Sequence, residues 1–141
     1  MNLMANCKLS KVQNQATAAT SAINSDVIDR ADFEGVVFFC KIAVANAGNY
    51  IKVQQGDESD LSDAADLEGT KVTPGADNMV SWVDVYRPTK RYLRVVVTRG
   101  ASTACGDIYA MKYGPKKLPT DNEIADTITG EIHASPAEGT A

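Results

Sequence analysis

Apolar residues recur at every second position through the middle of the chain, and no long stripe with helical spacing interrupts them, so the predicted elements are strands with one buried face. In VVFFCKIAV, residues 36–44, one face presents Val36, Phe38, Cys40, Ile42 and Val44, and the other presents Val37, Phe39, Lys41 and Ala43. A strand apolar on both faces is expected at the centre of a sheet. The cluster Asn46-Ala47-Gly48-Asn49 is a turn signal between this strand and YIKVQQ, which predicts an antiparallel hairpin with Ile51 and Val53 inward. Further strands are predicted at MVSWVDVY (79–86), at RYLRVVVTR (91–99) with Leu93, Val95 and Val97 on the core side, and at DIYAMKY (107–113). AINSDVIDR, around 22–30, and GTKVT, 69–73, each suggest an edge strand.

About seven or eight short strands with regular turn signals make the fold class all-β, and an antiparallel β-sandwich fits best. Closure into a small barrel stays open, because the pattern does not specify strand order. The expected organisation is an N-terminal arm over residues 1–21, a sandwich over 22–114 and a C-terminal arm over 115–141. Both ends are polar and lack a sustained period, and the tail holds three prolines. Such arms are mobile when free. Leu118, Ile124, Ile128 and Ile132 give the tail apolar anchors with which to lie along a partner.

Composition narrows the classes. A chain of 141 residues fits one domain, and no apolar run approaches the length of a membrane span. The N-terminal MNLMANCKLSKVQNQ lacks the apolar centre of a secretory signal, which predicts a protein made in the cytoplasm, with no membrane partner. Cys7, Cys40 and Cys105 are odd in number and lack paired metal-site spacing, so reduced structural thiols are expected. A net charge of -4 argues against a general nucleic-acid binder. That sum hides a sorting by segment: 56–68 carries six acids and no base, whereas 86–99 carries Arg87, Lys90, Arg91, Arg94 and Arg99 and no acid.

The acidic run QQGDESDLSDAADLEG tests for a metal site and fails the spacing of an EF-hand. Counted from Asp57, the sixth position, where the turn needs glycine, is Ser62. A solvated loop is expected, with no cofactor. The basic segment is its natural counterpart, and two readings stand side by side: exposed ion pairs within one subunit, or arginine forks aimed at carboxylates of another. His133 is the only histidine and lies in the tail, and no phosphate loop, zinc-protease motif or dinucleotide fingerprint occurs, so no enzyme is expected.

GNYIKVQQGDESDLSDAA, then YRPTKRYLRVVVTRG and GDIYAMKYGPKKLPTD, resemble the cement or decoration proteins of tailed-bacteriophage heads, and in particular the cement protein of the Bordetella podovirus type. The resemblance spans about residues 20–121 and consists of framework patterns without a catalytic signature. It implies a jelly-roll-like sandwich with extended arms that binds the outer surface of the assembled head. The implied partners are the major capsid protein and further copies of the chain, as a dimer in preference to a trimer. Charge and exposure, not a family motif, nominate Arg87, Lys90, Arg91, Arg94, Leu118, Ile124 and Ile128 as capsid contacts. Two other roles stay open: a neck or head-completion protein, and a carbohydrate-binding sandwich using Trp82, Tyr86 and Tyr92.

Overall fold

A computed structural model describes residues 2–122 and 127–140. Ten strands form two five-stranded antiparallel sheets stacked face to face. The first sheet runs β1 (Cys7–Gln13), β10 (Thr103–Pro115), β5 (Phe33–Ile42), β8 (Met79–Tyr86), with β2 (Ala16–Ala19) also paired to β10. The second runs β3 (Ile23–Asn24), β9 (Tyr92–Arg99), β6 (Asn49–Gly56), β7 (Ala65–Asp66), with β4 (Ile28–Asp29) also on β9. The first and last strands, β1 and β10, lie side by side, and the chain passes from one sheet to the other at every step except β1–β2, β3–β4 and β6–β7, which gives the interleaved strand orders of a jelly roll.

The period-two pattern decides which side of each strand meets the core. Val36, Phe38, Cys40 and Ile42 of β5, with Ile108 and Ala110 of β10, are buried against Ile51 and Val53 of β6 and Leu93, Val95 and Val97 of β9. Full burial of one such side chain contributes about 1.5–3 kcal/mol. Cys40 and Cys105 belong to this core and Cys7 is also buried, all three as free thiols. Contact with Cys105, reinforced by burial, pushes the Cys40 thiol well above its ordinary range, so it stays protonated and inert.

The predicted hairpin between β5 and β6 does not form. These strands lie in different sheets, and residues 43–48 arch across the edge of the sandwich. The buried side chain of Asn49 holds the arch: its amide donates to the carbonyl of Val44 at 3.0 Å and its oxygen accepts from the N–H of Ala101 at 3.0 Å. Gly48 and Gly100 cross here, and a Cβ on Gly100 would lie 2.9 Å from the Gly48 carbonyl oxygen, so the approach requires glycine. Val44 is consequently exposed rather than inward, because the chain leaves the sheet after Ile42.

Two further expectations are corrected. GTKVT does not form a strand; Val72 makes a single bridge to Ile51. The N-terminal arm does not extend to residue 21, since β1 pairs with β10 from Cys7↔Tyr113 to Gln13↔Ile108 and Val12 enters the core. Arg99 ties down the following segment: its guanidinium is buried and donates to the carbonyls of Thr17, Ser21 and Thr103.

The tail packs in part against the N-terminal residues, at the end of β10 opposite Thr103. Thr120 donates its N–H to the carbonyl of Ala5, while the Asn122 side chain bonds the carbonyls of Met4 and Cys7 and accepts from the N–H of Leu9. Asn122 thereby occupies the free edge of β1.

Candidate interaction surfaces

The basic segment begins at the turn after β8. Arg87, held at φ +50°, lies 3.6 Å from Glu34 and stacks on the Tyr86 ring, and it remains mostly exposed. Lys90 reaches the acidic loop, with its Nζ 2.5 Å from Asp57 and 3.9 Å from Asp63. Arg91 forms a two-bond fork with Asp29, at 2.9 and 2.8 Å. Arg94 projects from β9 opposite Leu93 and Val95 and donates to the side chain of Gln54 at 2.8 Å. Arg87, Lys90 and Arg91 therefore each pair with a carboxylate of the same chain, while Arg94 bonds a neutral amide.

The acidic loop is an ordered turn. Asp63 accepts from the N–H groups of Asp57 and Glu58 at 2.7 and 3.2 Å, and these bonds, with Lys90 nearby, hold its carboxyl below the usual carboxylate range. Asp60 likewise accepts from the N–H of Ser62, which lowers its pKa. Leu61, at φ +54°, is buried beneath the turn, and Gly56 leaves space for Asp63, whose oxygen would lie 2.2 Å from an added Cβ. The carboxylates thus satisfy local backbone donors. Among the described residues, no group of three His, Cys, Asp or Glu side chains is arranged to hold a metal ion.

The apolar tail anchors divide. Leu118 is exposed, and Ile124 lies outside the described residues. Ile128 is half-buried and, with Ile132, Met4 and Leu9, lines a cavity of about 310 Å³ beside β1. His133 is exposed next to Glu131.

A surface outside the nominated residues is more conspicuous. On β8, Ser81 and Val83 face the core, while Val80, Trp82 and Tyr86 point outward at 58%, 60% and 58% exposure. Trp82 pairs with Phe39 and Asp84 with Val37 across the ladder, so the outer face of this sheet is apolar over neighbouring strands. Leu3, Val37, Phe39, Trp82, Met111 and Tyr113 line a groove of about 570 Å³, at whose rim the Tyr113 hydroxyl donates to Asp84 at 2.6 Å. Desolvation, reinforced by that carboxylate, pushes the tyrosine pKa up. The sequence carried a signal for this face: MVSWVDVY is apolar on both sides, yet an aromatic at an alternating position reads first as core. Of the aromatics proposed for sugar binding, Tyr92 is on the other sheet, away from Trp82 and Tyr86.

No family model matches the chain, and no curated protein matches its sequence. Among solved structures it is similar to the SPBc2 prophage-derived protein YomS, at 12% identity with a TM-score of 0.45, covering 75% of this chain and 95% of that one. It is also similar to a protein of the disulfide-linked pili of Bacillus endospore appendages, at 15% identity and a TM-score of 0.37, covering 79% and 90%. Likeness at that level does not bear on function.

Proposed function

We propose that this chain is a capsid cement protein of a tailed bacteriophage, seated on the outer surface of the assembled head and bridging neighbouring major capsid subunits. The sequence resemblance over about residues 20–121 supports the reading, and so does the jelly-roll sandwich it implies. The observation that carries it is the outward row Val80, Trp82 and Tyr86 with its adjoining groove, an apolar surface of the kind that subunit contacts cover. In this reading Trp82 is the central anchor, and Arg87 and Arg91 contribute charge at the rim while paired to their own subunit. The role is structural: repeated contacts add buried interface to the shell, and no reaction is involved.

Expanded heads lacking the protein provide the test. Wild-type chain should co-sediment with them and saturate, and Trp82→Ala should bind at least about tenfold more weakly while remaining folded. Equal binding by wild type and Trp82→Ala would remove the basis for the proposed contact. The exposed pair Trp82 and Tyr86 also keeps a carbohydrate-binding reading in view. A saturable hit on a soluble glycan array, lost in Trp82→Ala, together with no binding to heads, would establish that reading instead.

A further inference from the structure

The four sheet edges are protected unequally. In the second sheet the margins are strands of two residues: β3 and β4 on one side, β7 on the other. In the first sheet, the Asn122 side chain occupies the outer edge of β1 at Cys7 and Leu9. The remaining edge is β8, which is eight residues long and pairs only with β5. Its sequence, MVSWVDVY, contains no proline or lysine, and its register with β5 runs from Gly35↔Tyr86 to Ile42↔Met79 without a bulge. Proline, lysine and bulges are the usual devices that keep an exposed edge from recruiting another strand.

The ladder identifies which groups are free. Arg87 donates its N–H to the carbonyl of Glu34 at 2.8 Å, so, stepping back by twos, Val85, Val83 and Ser81 are the residues whose main-chain groups face β5. The N–H and C=O groups of Val80, Trp82, Asp84 and Tyr86 therefore point away from the sheet. They belong to the same residues whose side chains form the exposed outer row.

We infer that β8 pairs antiparallel with β8 of a second copy about a two-fold axis at Trp82, joining the two first sheets into one continuous sheet. The charges select the second copy and the register. In this alignment Trp82 faces Trp82, and Asp84 of each chain lies directly opposite Val80 of the other. Val80 is paired on its inner side with Lys41, which is exposed and has no carboxylate partner among the described residues. Lys41 and the incoming Asp84 thus flank one valine in a single row, two strand spacings or about 10 Å apart at the backbone. A lysine stem laid over the valine spans that distance. Symmetry supplies the pair twice, and about six main-chain hydrogen bonds close the junction. An axis at Ser81 or at Val83 would instead set Trp82 against Val80 or against Asp84, and either would leave Lys41 without a partner.

This deepens the self-association within the cement reading and rests on that reading only for its biological setting, because it concerns the isolated chain. The test is sedimentation velocity of the full chain at tens of micromolar. Wild type is expected to sediment as a dimer. Val80→Pro removes a donor from the free edge without touching the ladder to β5, and should yield a folded monomer with an unchanged circular dichroism spectrum. Asp84→Lys and Lys41→Asp should each raise the dissociation constant by about tenfold or more, and the double exchange should restore dimerisation. A monomeric wild type, a dimer that survives Val80→Pro, or a double exchange that fails to restore it would each overturn the inference. Monomeric protein that still decorates heads would do so while leaving the cement reading intact.

Discussion

Arg91 holds Asp29 through two parallel bonds, at 2.9 and 2.8 Å, joining the start of β9 to the end of β4. This contact adds to the burial of Ile28 and its pairing with Leu93 in holding a two-residue strand on the sheet edge. Both side chains are substantially exposed, so the contact is modest in strength but well defined in direction. Replacing Arg91 by Glu places like charges together, and the melting temperature is expected to fall by up to about 4 °C, with Arg91→Lys recovering only part because lysine lacks the fork. Thermal melts of the three proteins check this, and identical melting temperatures would mean that the pair does not support the edge.

Acid should weaken the fold through the same carboxylates. The Arg91 hydrogen bond holds Asp29 below its ordinary pKa, the N–H of Gln15 does so for Asp107, and Lys52 does so for Asp66. A carboxyl with a depressed folded-state pKa contributes stability that is complete above its unfolded value, about 3.9, and is lost as pH falls through the folded value. Melting temperature is therefore expected to be level near neutrality and to decline below about pH 4 to 5. Asp29→Asn should flatten that decline, and an unaltered acid slope in this variant would contradict the assignment.

The acidic loop should not bind calcium or zinc at micromolar concentration, because Asp63 and Asp60 are committed to backbone donors. Calorimetry measures this directly. Micromolar heat signals that vanish in Asp57→Asn with Asp60→Asn would show that the loop is a metal site.

Arg99 should matter far more than the exposed cations. Removing its guanidinium leaves the carbonyls of Thr17, Ser21 and Thr103 without their donor, and hydrogen bonds to a charged group contribute about 1.5–3 kcal/mol. Arg99→Met is expected to lose stability on that scale and to speed hydrogen exchange at residues 16–21. Exchange there equal to wild type would refute the tethering role.

The core pattern was legible because the alternation in 36–42, 51–53 and 93–97 is uninterrupted, and each strand found its buried face where the apolar residues placed it. Partnership was not legible where it depends on distant residues. β1 offers only Val12 to the core between the sheets and becomes a strand because residues 108–113, a hundred positions away, provide its ladder. The turn at Asn46 was correctly marked, but its sequence does not distinguish a hairpin from an arch between sheets; the buried Asn49 amide decides that. The charged segments were legible as charge, while their mutual pairing through Lys90 and Asp57 needed the fold to bring β9 beside the loop after β6. Trp82 was misleading because β8 is an edge strand, apolar on a face that the monomer leaves uncovered.

Cryo-electron microscopy of heads reconstituted with the purified protein locates it on the shell. Density for the sandwich is expected at symmetry-related positions over the whole outer shell, bridging neighbouring capsid subunits, with Trp82 inside a contact. Density confined to the portal vertex would instead indicate a neck or head-completion protein, and heads without added density would contradict the cement role.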